Sequence, residues 1–556
     1  MNEIEFNLLD EPWIRVVDSK LNATELSLTD TLLQAHRFAG LNGELPTQDI
    51  AVLRLLLAIL HTVFSRFDSD GIPSPLHSEN DALIRWSKLW ADGQFPEKTI
   101  RGYLNSWRDR FWLFHPERPF WQVPAAKIGT EYGAAKLNGT LSESSNKIRL
   151  FPSRTGDKKN ALTYAEAARW LLYVNAFDDT SAKPKTKQGN EKMPSPGVGW
   201  LGKLGIIAAK GNNLFETLML NLILRKDGMT SWGPESPIWE QEKPRTKERI
   251  EIPEPDNLSE LYTLQSRRLL LIRENNYVTG YTLLGGDFFS PVNAFNEQMT
   301  IWRVNGGTGA KDRTQLIPAR HDPSKQLWRE FPEVFLGRSE HGHRPGVVSW
   351  IATLKNRRAG LNKQSSINFS TASVQYGDKD FFISDVVSDS ISFHSDLLSD
   401  AGALWQNNVS DEIGKCEMLA NCVGSFASEL ANASGKSGDL LTKKAVQQDR
   451  ETAKKAREEL YFRLDIPFRT WLASISPEDD ISEKNADWHT TAYKIASSLG
   501  REMIDKAGTS AFCGKHIRLK ENGVEVSKFY SSPQAYNRFL FRIKSVYYYS
   551  RFRNSR

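Results

Sequence analysis

The sequence predicts an α+β chain. A large, irregular mixed α/β region covers residues 1–392, and a C-terminal four-helix bundle covers 393–556. Three observations lead there. Short apolar runs, isolated helix signals and Gly/Pro-rich loops alternate through the first part. Proline becomes scarce after about His394. Four amphipathic stripes at helical spacing then follow with short connections. The 556 residues suffice for more than one domain, and 40% hydrophobic with 25% charged residues is ordinary globular composition.

The elements follow in order. "EFNLLDEPWIRVVD" reads as extended chain broken by Pro12. The run Ile50–Phe64 carries Arg54 and His61 and is too short to span a bilayer. It predicts a buried helix, with Thr47 as its cap after Pro46. Further helices are predicted over Asp81–Ala91 and Pro96–Phe114. The second has Ile100, Tyr103, Leu104, Trp107 and Phe111 on one face. Thr163 and Glu166 spell a capping box ahead of Tyr164, Ala168, Leu171 and Leu172. Loops and short apolar runs fill Met193–Tyr376. In the last part, Cys416, Leu419, Val423, Phe426 and Leu430 share a face. Asp439–Leu460 is a charged helix, either a bundle member or a solvent-bridging one. Trp488, Ala492, Ala496 and Leu499 mark a third helix. Ser532 and Pro533 open a fourth, with Tyr536, Phe539, Leu540, Ile543 and Tyr547 as its stripe.

Charge and motifs narrow the function. Lysine and arginine number 72 against 67 acids, a net +5, so any nucleic-acid role rests on local patches. The three cysteines, Cys416, Cys422 and Cys513, form no C-x-x-C pair. That predicts no disulfide framework, no metal and no cofactor, and suits a reducing cytoplasm. The N-terminus carries no signal-peptide pattern, and the expected location is cytoplasmic, away from any membrane. No P-loop, nucleophile elbow or H-E-x-x-H occurs. His341-Gly342-His343 reads as a surface loop. Its alternative is a metal pair in a nucleic-acid-processing enzyme.

"MPSPGVGWLGKLG" contains Gly197, Gly199 and Gly202 in G-x-G-x-x-G spacing. The preceding "DDTSAKPKTKQGNEKMPSP" is polar and broken by prolines, so no strand feeds the turn and the dinucleotide reading fails. Six lysines between Lys183 and Lys210 face one acid, Glu191. A basic glycine loop suits a polyanion, or is a solvated linker. Asn146–Asn160 adds Lys147, Arg149, Arg154, Lys158 and Lys159 around Phe151, cations for phosphates and a ring for stacking. "KNRRAGLNK" at Lys355–Lys363 and three arginines in the tail are further basic patches.

Several stretches together resemble a known family. They are "NLLDEPWIRV", "FWLFHPERPFWQVP", "NKIRLF", "YAEAARWLL", "YTLQSRRLLLI", "QMTIWR" and "RHDPSKQLWRE", in that order. The family is CasA, the large subunit of the type I-E CRISPR Cascade surveillance complex. The resemblance implies a non-catalytic protein that recognises the protospacer-adjacent motif in double-stranded target DNA. It would help open the duplex for guide-RNA pairing and recruit a helicase-nuclease in trans. Its other partners would be the guide RNA 5′ handle and the backbone and small Cascade subunits. A motif-blind RNA-binding scaffold of a related effector is a further alternative.

By the same resemblance, Lys192, Ser195, Gly197, Gly199, Trp200, Gly202 and Lys203 form the DNA-binding glycine loop. Asn146, Lys147, Arg149, Phe151 and Arg154 form the RNA-binding loop. The family's lysine finger is missing from the similar hairpin "GYTLLGGDFFSPVN", which offers Asp287 and Phe288. Its glutamine wedge corresponds to "SVQYGDKDFF". There Gln375 falls early, and Tyr376, Gly377, Asp378 and Lys379 make the turn.

Overall fold

The computed structural model describes residues 4–143, 148–180, 197–226, 231–242, 249–306, 315–338, 342–361, 366–436, 438–522 and 524–548. By its contacts the chain divides into two compact units: Met1–Pro323 with Glu333–Ser390, and Ser324–Pro332 with Ile391–Arg556.

The first unit is built around the helix Pro46–Arg66. It is long and apolar enough to cross a membrane, yet 94% of its most apolar window is buried inside the protein. Thr47 is not its cap. Leu45 holds that position without a side-chain bond, and Thr47 lies in the first turn. The preceding loop is held instead by Asp49 and Gln48, whose side chains accept from the Gly43 and Glu44 amides at 2.7 and 3.0 Å. Arg54 is fully buried and meets Glu297 through two bonds of 2.9 Å. Such a pair survives burial because each charge is matched at close range.

Helix Tyr164–Phe177 packs beside it, and both halves of the Thr163/Glu166 capping box form. The predicted helix over 96–114 stops at Ser106. A short 3-10 turn and a strand, Trp112–Phe114, complete the stretch. Phe111 is still core, so the apolar spacing continues past the end of the helix. The strand Tyr277–Phe288 is the hub of a four-stranded sheet. It runs antiparallel to Thr130–Gly133 and Arg268–Glu274 and parallel to Arg249–Glu251. A second sheet orders Ile383–His394, Ser366–Tyr376 and Ile206–Lys210.

The second unit holds four long helices, Ala403–Ser434, Lys443–Ala473, Ile481–Cys513 and Ser532–Tyr548. The first packs against the other three. Buried residues of Lys443–Ala473 begin only at Leu460, so its charged first half is solvated. Ser324–Pro332 belongs here because Trp328 stacks on Phe468 at 4.3 Å and donates to Asp465 at 2.9 Å. At Gly500 a side chain would overlap the Phe539 ring, which lets two helices approach closely. A hairpin, Lys515–Glu521 with Val524–Tyr530, stands between the last two helices.

In the first unit Glu235 is buried, and its Oε2 accepts from the Ser259 amide at 2.8 Å. Burial lifts its pKa to about 7. Its stabilising contribution is therefore present below the unfolded value near 4.5 and is lost as pH rises through about 7. Glu235→Gln removes that loss. Urea unfolding should find the variant more stable than the parent by about 3 kcal/mol at pH 8 and no more stable at pH 4.

Candidate nucleic-acid interface

The site starts where helix Tyr164–Phe177 ends. Arg267, fully buried, donates from Nε to the Asp178 carboxylate at 2.8 Å. Its Nη2 reaches the carbonyls of Asp178 and Asp179 at 3.2 Å and of Gly197 at 2.7 Å. Lys136 closes the network on Asp179 at 2.9 Å and Asp178 at 3.3 Å. Burial opposes the charge on Asp178, but Lys136 and Arg267 outweigh it and hold its carboxyl below the usual range. The chain thus leaves at 179 and returns at 197 around one guanidinium.

The glycines after the return have separate reasons. Gly197 has φ +73° and open space where a side chain would stand. Gly199 and Gly202 face protein. A Cβ on Gly199 would overlap the Ala176 carbonyl, and one on Gly202 would overlap the Tyr376 hydroxyl. Trp200 is buried and donates to Glu297 at 2.8 Å. At Gly199, Trp200 and Gly202 the expected reason, open backbone for a ligand, is therefore replaced by tight intramolecular packing. The outward side chain is Lys203, half-exposed, its ammonium 5.5 Å from the Trp200 ring. Lys192 and Ser195 lie outside the described residues.

The turn assigned to the wedge is the tip of a hairpin between Ser366–Tyr376 and Ile383–His394. Gln375 sits at the strand end, half-buried, its carbonyl accepting from Ser384 at 2.9 Å. Tyr376 anchors the neck through its hydroxyl, which donates to the Phe177 carbonyl at 2.6 Å. Burial holds that hydroxyl's pKa well above its usual value, so it stays a donor. Gly377 packs under the Phe382 ring, and its amide donates to the Phe382 carbonyl at 2.8 Å. Asp378 and Lys379 are exposed, and Lys379 and Asp380 have φ of 54° and 57°. Thr180 grips both: its amide donates to the Asp380 carbonyl and its hydroxyl to that of Lys379, each at 3.0 Å. Arg320 donates to the Asp380 carboxylate at 2.7 and 2.9 Å and to the Gly202 carbonyl at 2.6 Å. Glycine segment and tip are thereby neighbours. Sequence reading missed Thr180, Arg267, Arg320 and Asp380, which carry no periodic signal.

Asp287 and Phe288 are not on a hairpin tip. They end the strand Tyr277–Phe288, whose own hairpin turn is Asn275–Asn276. Asp287 is buried and paired with Arg268 at 2.5 Å, so its charge is used inside the fold. In the other basic loop, Phe151 is 94% exposed, and Ile148 and Leu150 are exposed beside it. Arg149 is held by Glu143 and the Leu141 carbonyl at 3.0 and 2.7 Å, and Arg154 by Glu166 at 2.7 Å. Asn146 and Lys147 lie outside the described residues, as does His341. His343 packs against Phe295 and Trp302 at 4.4 and 5.2 Å. No cluster of three or more His, Cys, Asp or Glu suited to a metal occurs among the described residues.

The model of the family CRISPR-associated protein Cse1 matches residues 7–499. The chain belongs to the Cse1, or CasA, family. The CasA/Cse1 protein of Thermus thermophilus is 32% identical over 339 residues, and that match spans 59% of each chain. The crystal structure of Thermobifida fusca Cse1 superposes with a TM-score of 0.82 at 28% identity, covering 98% of both chains. A chain of a CRISPR RNA-guided surveillance complex shares the fold with a TM-score of 0.68 at 15% identity, covering 97% of this chain and 99% of that one. The mixed fold with a C-terminal helical region is thus that of Cse1 structures.

The packing at Gly202 generates a prediction for this Cse1-family chain. Gly202→Ala should cost about 2 kcal/mol by forcing the Tyr376 hydroxyl off the Phe177 carbonyl. Adding Tyr376→Phe, which deletes the colliding oxygen, should recover much of it. Thermal unfolding of the two variants and the double variant checks this. A double variant worse than Gly202→Ala would reject the contact.

Proposed function

We propose that the chain is the non-catalytic large subunit of a type I-E CRISPR Cascade complex. In this reading it recognises the protospacer-adjacent motif in double-stranded target DNA and helps open the duplex for guide-RNA pairing. It also recruits a helicase-nuclease in trans, and it works in the cytoplasm. The observation that carries the reading is the turn Gly377–Asp380, exposed at Asp378 and Lys379 and bonded through Thr180 and Arg320 beside the Gly197–Lys203 segment.

Physically, such a pair suits the task. A wedge must displace stacked bases and therefore must not yield. Here two left-handed non-glycine residues, each costing about 1 kcal/mol, are held in place by Thr180 and Arg320. The tip exposes one charge of each sign, Asp378 and Lys379, while the Asp380 carboxylate is paired with Arg320, so the tip's action is steric more than electrostatic. Lys203 and the open Gly197 supply the groove-side contact, and Lys192 and Ser195 extend it. Minor-groove edges give a degenerate pattern, so tolerance of several motifs is expected. Guide pairing reads the long sequence while the protein reads the short flank. Phe151, with Arg149 and the neighbouring Asn146, Lys147 and Arg154, is the surface for the guide RNA 5′ handle. The helical bundle meets the small subunits, and other faces meet the backbone subunits. Family membership supports the assembly.

The decisive experiment is binding of duplexes bearing every trinucleotide flank to the reconstituted complex, with and without this chain, at two salt concentrations. We expect the chain to create a flank preference that survives higher salt. Flank-blind binding that collapses with salt would favour the motif-blind RNA scaffold instead, because phosphate contacts alone behave that way. Lys203→Ala and Lys379→Ala should each lower the slope of log affinity against log salt by up to about one. Separately, Phe151→Ala should weaken binding to the 5′-handle RNA by about 1–3 kcal/mol, the range for one lost stacking platform, as read by titration.

A further inference from the structure

The hairpin tip and the glycine segment share one side chain. Arg320 directly follows the strand Leu316–Ala319. Its Nε donates to the Gly202 carbonyl at 2.6 Å. Its Nη1 and Nη2 take the two oxygens of Asp380 at 2.7 and 2.9 Å. The guanidinium lies 4.7 Å from the centre of the Tyr376 ring. One planar group therefore touches the segment assigned to motif reading, the neck of the hairpin and the strained residue at its tip. About a third of the Arg320 and Asp380 side chains is exposed, so the clasp sits at the surface where a ligand would bear on it.

The clasp also explains why the tip holds its shape. Asp380 lies in the left-handed region without being glycine, a conformation that persists only when its surroundings fix it. Thr180 fixes the backbone and Arg320 fixes the carboxylate. Lysine cannot substitute, because a point charge gives neither the two-pronged bond nor the stacked face.

We propose that Arg320 is a positioning residue that couples the Gly197–Lys203 segment to the strand-separating turn, so that seating the motif and loading the wedge are one event. This rests on the function proposed above. The coupling runs through the Gly202 carbonyl, the guanidinium and the Asp380 carboxylate. With Arg320 absent, the segment still seats on DNA, but the turn gives way when it meets stacked bases.

The test uses the reconstituted complex and two DNAs with the same flank: an intact duplex, and a duplex whose first three positions beside the flank are unpaired. 2-Aminopurine at those positions reports opening of the intact duplex, and titration reports affinity for the unpaired one. Arg320→Ala should slow opening of the intact duplex by about 10- to 100-fold, while affinity for the unpaired target changes by less than about twofold. Arg320→Lys should behave like Arg320→Ala. Asp380→Asn should move in the same direction. The double variant Arg320→Ala/Asp380→Asn should be no worse than Arg320→Ala, since both remove one interaction.

Equal losses on both DNAs, additive effects, or opening at the parental rate would each overturn the coupling. Incorporation into the complex is measured for every variant. If Arg320→Ala does not assemble, Asp380→Asn, which keeps the side chain's shape, carries the same comparison. If the parent chain itself shows neither flank preference nor opening, the proposed function falls, and the coupling falls with it. If the parent opens DNA and the variants match it, the coupling alone is wrong.

Discussion

One buried guanidinium organises the candidate interface. Arg267 ends inside the protein with no access to water, so each of its donors must be met. It meets them with the Asp178 carboxylate and with carbonyls on both sides of the 181–196 stretch. Asp178, Asp179 and Gly197 are consequently held at the same point. A side chain lacking this charge would take one cationic partner from the buried Asp178 carboxylate, in a setting where an under-paired carboxylate is costly.

From that anchor the rest of the face follows by contact. Asp178 accepts the Gly199 amide, which lays the glycine segment against the end of helix Tyr164–Phe177. Trp200 then reaches Glu297, already bound to Arg54 of the core helix. Gly202 leaves room for the Tyr376 hydroxyl, and that hydroxyl is tied to Phe177. The glycines are thus chiefly spacers between packed layers. Only at Gly197 does the absent side chain leave open space within this segment.

Much of the fold was legible in the sequence. The capping box at Thr163 and Glu166, the buried helix after Pro46, and three of the C-terminal stripes rest on periodicity and capping, which act over a few residues; the charged helix expected over Asp439–Leu460 instead runs Lys443–Ala473, and its buried face lies beyond the expected span, from Leu460 on. The helix expected to reach Phe114 stopped at Ser106 because apolar spacing does not say whether a residue is buried by a helix or by the strand that follows it. The C-terminal hairpin also has a local signal: Asn-Gly at 522–523 is a turn dipeptide in sequence, and the flanking strands pair antiparallel. "GYTLLGGDFFSPVN" reads as a hairpin in sequence, yet its glycines serve a continuous strand, Tyr277–Phe288. Gly280 and Gly286 lie against neighbouring backbone where a Cβ would collide.

By itself, the sequence determined most of the long helices, the change from mixed to helical architecture, and the family, because local patterns and ordered short motifs carry those. The neighbourhood of the tip was decided only by tertiary structure. Thr180, Arg267, Arg320 and Asp380 are separated by up to 200 positions along the chain. Their pairing depends on which surfaces the core brings together. A lone arginine in "PARHDP" looks like any solvated charge until the fold sets a carboxylate, a carbonyl and an aromatic ring around it.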